Sequence, residues 1–204
     1  GNEAQSVHEP VSELANYLKD KRITELKPGD MVEWTSGAPG HGKGTAIKAV
    51  RPEAFKDMAF GYDSVMGNPV KTSADLQSVL DKGGSNAIDY VFRDIEAGWK
   101  EGIIGRAVRT RRTLPLRVYL DGAETSWKTI QTNHKIFSPD PRNRFTLIDN
   151  RIRGELAKKV TIEDVKKMDF TNLIEKYYKK LENHTEELFK AGKISKDIRD
   201  GLLQ

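Results

Sequence analysis

Pro28-Gly29-Asp30-Met31-Val32-Glu33-Trp34-Thr35-Ser36, then Gly37-Ala38-Pro39-Gly40-His41-Gly42-Lys43-Gly44-Thr45, then Ala46-Ile47-Lys48-Ala49-Val50, is the stretch on which the fold turns. It opens with a proline-glycine turn. Residues 31–35 then alternate, with Val32 and Trp34 on one side and Met31, Glu33 and Thr35 on the other, the period of a strand with one buried face. After the glycine-rich residues 37–44, Thr45–Val50 reads as a second strand closed by Pro52. Two arrangements of the loop follow. Between antiparallel strands it is a mobile connection; wrapped onto a helix N-terminus it becomes a phosphate cradle.

Outward from this stretch the chain alternates helical and extended signals. Glu9–Lys21 carries Val11, Leu14, Ala15 and Leu18 on one helical stripe. Ser73–Leu80 predicts a short helix stopped by Gly83-Gly84. Ser85 is positioned to cap a longer helix with Ile88, Val91, Phe92, Ile95 and Trp99 on its apolar face, broken by Gly102 and Gly105. Leu116–Leu120 and Ala123–Ile130 read as strands joined at Asp121-Gly122, because a type I′ hairpin turn needs positive φ at both central residues. A loop at Ser138–Pro141 leads to another strand, Arg144–Ile148. Beyond Arg151 the chain is helical, with starts at Thr161 and Thr171, an end at Gly192 and a last cap at Ser195. The expected fold is α+β: an N-terminal helix, a small antiparallel barrel-like β segment, two helices, a basic β-hairpin region and a C-terminal helical hairpin. The expected division falls near Gly102–Gly105, giving halves 1–101 and 102–204, or one continuous domain.

The 204 residues, 37% hydrophobic and 31% charged, suit a globular domain with a core of its own. No run approaches the ~20 apolar residues of a membrane span. Gly1–Gln5 does not resemble a signal peptide. Without cysteine the chain has no disulfide, thiolate site or cysteine nucleophile. The expected setting is the cytoplasm, or a secreted or injected protein that dispenses with disulfides. His8, His41, His134 and His184 are scattered, so no histidine zinc spacing arises and no metal is expected. Charge is uneven: Gly102–Val160 holds thirteen Lys/Arg against five Asp/Glu, a balance of +8 in a chain whose total is +4. Such separation points to an anionic partner.

Two resemblances attach to the opening stretch. Gly37–Thr45 resembles the phosphate-binding loop of adenylate kinases, G-x-P-G-x-G-K-G-T, a form of G-x-x-x-x-G-K-[ST] in which Gly44 stands where Ser or Thr usually follows the lysine. The resemblance implies ATP and magnesium, with Gly42, Lys43 and Gly44 on the phosphates, Thr45 near magnesium and Asp121 as the metal-side acid. Residues 28–50 are also similar to the opening hairpin of small SH3-like barrels, as in Tudor-type modules of the hypervirulence-associated class and in ribosomal KOW motifs. That resemblance implies a binding module, with His41 and Lys43 on an exposed loop and Trp34 in the core.

The basic centre supplies the remaining candidates. Arg106, Arg109, Arg111, Arg112, Arg117, Lys128, Lys135, Arg142 and Arg144, with Arg151 and Arg153 beyond, would form a phosphate-tracking surface if they faced one way. Trp127, Phe137 and Phe145 between them either stack on bases or fill the core. Three functional readings result. The first is a non-enzymatic protein that binds nucleic acid or an acidic protein surface through these cations, with no cofactor. The second is a kinase-like nucleotide-binding enzyme built on 37–45. The third is a toxin or effector acting on nucleic acid, with His134 as acid or base and Lys135, Arg142 and Arg144 stabilising the transition state.

Overall fold

The computed structural model describes residues 2–151 and 156–204, with side-chain environments from residue 13 onward. Helix α1 (Asn2–Thr24) leads to strand β1 (Met31–Ser36), helix α2 (Lys43–Val50) and strand β2 (Phe60–Asp63). Helix α3 (Pro69–Asp81) and strand β3 (Ser85–Phe92) come next. A helical run follows, made of α4 (Ile95–Ala97), a π-helical stretch (Gly98–Ile104) and α5 (Gly105–Thr110). Helix α6 (Leu116–Phe137) and strands β4 (Asn143–Asp149) and β5 (Lys158–Val160) precede α7 (Ile162–Lys166), α8 (Leu173–Lys190) and α9 (Lys196–Leu202).

The strands form one sheet in the order β2-β1-β3-β4-β5. The first four are mutually parallel and β5 is antiparallel to β4. The mixture of helices and strands, with a helix at the start and helices at the end, is as expected. The sheet itself differs from expectation in being mainly parallel, with no antiparallel barrel segment among the described residues; β3 and β4, on either side of the 101/102 division, pair within it.

Three local readings account for the difference. Residues 45–50 lie in α2, and the helix ends at Val50, before Pro52 could obstruct it. Residues 85–92 are a strand and not a helix, buried along nearly their whole length as a central parallel strand must be. Residues 116–130 form no hairpin but belong to one helix, because Leu116, Tyr119, Leu120, Ala123, Trp127 and Ile130 recur at helical spacing and all point into the core. Gly122 sits inside that helix, where a Cβ would meet Val65 at an ordinary 3.4 Å, so it makes no turn here.

Alternation in β1 has a cause other than solvent. Val32 and Trp34 pack into the main core with Ile88, Tyr90 and Phe92 of β3 and with Leu76 and Val79 of α3. The opposite face is covered by α2, where Ala46 and Ile47 meet Val91 and Ile148. Beneath α2 the polar residues of the strands are also buried: Arg51 donates to Glu33 at 2.6 Å and to Asp89 at 2.7 Å. The carboxylates of Asp89 and Glu33 hold the Arg51 pKa above its ordinary value against burial, while burial drives that of Asp89 upward.

Helix α1 docks by a different face from the one its apolar stripe suggests. Leu14 and Leu18 are 57% and 47% exposed. The buried face presents Ile23 and Lys19, whose ammonium meets Asp75 of α3 at 2.6 Å. At the other end, Thr161 forms a capping box with Asp164, Ser195 caps α9, and Asn172 in place of Thr171 precedes α8. Asn68, with Pro69 behind it, starts α3 ahead of Ser73.

Candidate phosphate-binding site

Residues 37–42 join the end of β1 to the start of α2. In parallel sheets, ligands sit beyond the carboxyl ends of the strands where the winding reverses. Here β1 leads to β2 on one side and the chain returns to β3 on the other, so the reversal lies between β1 and β3, where this loop sits. Gly42, in the left-handed conformation at φ 71°, is the N-cap of α2 and provides no side-chain cap. The first-turn N–H groups are thus left for another acceptor.

The loop is held from behind by glycines. Gly37 has φ 123°, and a Cβ there would lie 2.2 Å from the Val91 carbonyl oxygen. A Cβ on Gly102 would fall 2.4 Å from the Gly40 carbonyl oxygen, and one on Gly98 would meet the Tyr119 hydroxyl at 2.2 Å. Gly102 lets the π-helical stretch touch the loop backbone, and Gly98 leaves room for the Tyr119 hydroxyl and the His41 ring. Asn150, just past β4, donates its side-chain amide to the His41 carbonyl at 2.9 Å. Arg93, just past β3, reaches the Gly40 carbonyl at 3.5 Å and is ion-paired with Glu101.

His41 is 1% exposed, inside the loop and not at its tip. Its Nε2 lies 3.3 Å from the Tyr119 hydroxyl, which donates to the Ile95 carbonyl at 2.8 Å. Burial, helped by the Lys43 and Arg93 cations, pushes the His41 pKa down to about 3. A neutral ring here braces the loop without adding charge.

Lys43 folds back across the loop. Its Nζ donates to the Gly37 carbonyl at 3.1 Å and the Ser64 carbonyl at 3.3 Å, and pairs with Asp63 Oδ1 at 2.9 Å. Thr35 donates its hydroxyl to the same carboxylate at 2.6 Å. Asp63 ends β2 and its side chain is 71% exposed, so lysine and carboxylate stand together at the open carboxyl edge of the sheet.

Several expected residues are placed elsewhere. Asp121 is exposed on α6, and the carboxylate paired with Lys43 belongs to Asp63. Thr45 is exposed in the first turn of α2, beside Gly44. The basic candidates divide between the two ends of the sheet. Arg106 and Arg112 line a cavity of about 450 Å³ with Pro39 and Ile103, beside the loop. Arg142 and Arg144 lie at the start of β4, the opposite end of the parallel strands, where they face Asp140 and Glu33. That strand of seven residues is ~23 Å long. Arg117 stacks on Tyr178 and Lys128 pairs with Glu124. Arg109 is in the last turn of α5, Arg111 takes positive φ just after it, and Lys135 is in the last turn of α6. Arg151 pairs with Asp149, and Arg153 and the side chain of His8 lie outside the described residues.

His134 packs edge-on against Phe145, with ring centroids 5.0 Å apart. Its cavity is lined by Gln131, Thr132, Lys135, Ile162 and Lys166, which brings neither Arg142 nor Arg144 to it. Trp127 and Phe137 are buried in the core.

Asp63, Arg93 and Asn150 escape a reading by motif. Each is the first or last residue at a strand's carboxyl end, so their shared feature is strand order. No protein-family model matches the chain, and no curated protein is detectably similar to it. Among the described residues no helix is long and apolar enough to cross a membrane.

Proposed function

We propose that the chain is a nucleotide-binding protein of the phosphate-loop type, with kinase-like phosphoryl transfer as its activity. The observation that carries this reading is Lys43: it begins a helix behind a glycine loop, and at its Nζ a carboxylate from the neighbouring parallel strand is waiting. A nucleotide's phosphates would take the uncapped N–H groups of the first turn, and Lys43 would turn from Gly37 and Ser64 toward the terminal phosphates. Phosphoryl transfer asks the protein mainly for positioning and for charge stabilisation, and these groups provide both.

Magnesium enters as part of the nucleotide complex. Among the described residues no group of three or more His, Cys, Asp or Glu side chains is placed to hold a metal. Asp63 together with phosphate oxygens fits the usual magnesium shell of one or two carboxylates plus substrate. Arg106 and Arg112, which line a cavity with Pro39, are the basic-centre residues nearest the loop in this reading.

The test is thermal unfolding with MgATP. At a hundredfold excess over Kd a single-site ligand adds about 2.7 kcal/mol to folded-state stability. For a domain of this size that is a rise of roughly 5–10 °C. No rise with MgATP or MgADP, alongside steep salt-dependent binding of nucleic acid, would replace this reading with the nucleic-acid one.

A further inference from the structure

A second cavity, of about 230 Å³, lies on the far side of Ser64 from Lys43, between α1, α3 and the strands β1 and β2. Ser64 belongs to both places: its carbonyl accepts from Lys43 at 3.3 Å, and the residue lines the cavity. Asp63 is its chain neighbour. Resting on the phosphoryl-transfer reading, we propose that this cavity is the acceptor site, and that the acceptor is a small polyhydroxylated molecule of sugar or cyclitol size.

The lining determines the chemistry. Half-buried Tyr62, braced edge-on by the buried Trp34 with centroids 5.8 Å apart, gives an aromatic wall for the C–H face of a ring. Around that wall stand Asn16, Asn68 and Thr72, with the exposed Lys71 at the rim. Asn16 Oδ1 accepts from the Tyr62 hydroxyl at 3.1 Å and from Lys71 Nζ at 2.7 Å. The one buried cation, Lys19, is already neutralised by Asp75 at 2.6 Å and Asp20 at 3.3 Å. No arginine lines the cavity, whereas a phosphomonoester dianion is usually gripped by guanidinium forks. A cavity of about 230 Å³ has room for one ring.

In the transfer step an acceptor hydroxyl oxygen forms a bond to the γ-phosphorus while the bond from that phosphorus to the β–γ bridging oxygen breaks. ADP leaves with the electron pair of the broken bond. The hydroxyl proton is lost to solvent as the new phosphorus–oxygen bond forms. Helix α1 thus contributes to specificity through Asn16 and Lys19, and the ion pair to Asp75 holds it in register.

The experiment supplies MgATP with D-glucose, N-acetyl-D-glucosamine, D-ribose or myo-inositol in millimolar excess, and follows ADP release and the phosphate ester by phosphorus NMR. At least one should raise ADP release about tenfold over the acceptor-free rate. Asn16→Ala and Tyr62→Phe should each lower kcat/KM for that acceptor about tenfold, the scale of one lost hydrogen bond to a bound hydroxyl, with the MgATP-induced thermal shift unchanged. Tyr62→Phe removes a single oxygen and guards against a folding artefact. If no polyol responds while MgATP still stabilises the protein, the acceptor assignment falls alone. Faster turnover of nucleoside monophosphates than of polyols overturns it equally. Absence of MgATP stabilisation in the wild type removes both readings together.

Discussion

Replacing Lys43 by alanine should abolish the MgATP-dependent thermal shift and slow phosphoryl transfer by about a hundredfold or more, ~3 kcal/mol of transition-state stabilisation. The lysine is the one cation in the loop, with its side chain 15% exposed and its ammonium held within 3.3 Å of two carbonyls and a carboxylate. Such a group costs little to redirect when phosphates arrive, because the exposed Asp63 partner gains water as the pair opens. For the same reason the unliganded variant should unfold within about 1 kcal/mol of wild type, as expected for a pair with one solvated member. Lys48→Ala, on the solvent side of the same helix, should retain the full shift. Equal loss in both variants would mean that α2, and not the ammonium, had been damaged.

The second large effect lies in the layer beneath the loop. Arg51→Met should destabilise the protein by about 3–5 kcal/mol, since it leaves Glu33 and Asp89 facing each other under α2 with only the half-exposed Arg144, 3.7 Å from Glu33, as counter-charge. Both carboxylates are essentially inaccessible, at 1% and 0% exposure. Removing the whole cluster is a different matter. Arg51→Met combined with Glu33→Leu and Asp89→Leu should recover most of the loss, because apolar groups of similar volume carry no desolvation penalty. Urea unfolding midpoints of the single and triple variants measure both. A triple variant as unstable as the single would show that Glu33, which accepts the Phe55 N–H at 2.9 Å, is needed to hold that turn whatever its charge partner.

This cluster also explains how β1 misleads. Glu33 and Thr35 give the strand the alternation of a sheet with one wet face, yet the second face is as dry as the first, and its polarity is satisfied by Arg51 and Asp63. Sequence periodicity registers polarity, and it cannot distinguish water from an internal ion pair. The same limit applies to β3, whose apolar residues fit a helical stripe as well as a buried strand until Ile95 and Trp99 are assigned to the following helix. Asp121-Gly122 is a strong local turn signal that α6 overrides, because 22 residues of consistent periodicity outweigh one dipeptide.

What was legible was the local chemistry. The caps at Thr161 and Ser195, the buried Trp34 and the strand at 144–148 all follow from residue types at fixed spacing. The partners of Lys43 were not legible, since Asp63, Arg93 and Asn150 come together only through the order in which parallel strands lie. The basic centre shows the converse: continuous in sequence, it is divided between opposite ends of the sheet, and several of its members already have partners.

The most direct test of the central claim is a crystal structure of the protein with magnesium and the β,γ-imido analogue of ATP. The account predicts the β-phosphate within hydrogen-bond distance of the N–H groups at the start of α2, the Lys43 ammonium moved from the Ser64 carbonyl onto phosphate oxygen, and Asp63 facing the magnesium shell. A nucleotide bound away from residues 37–45, or one bound there with Lys43 still folded onto Gly37 and Ser64, would contradict it.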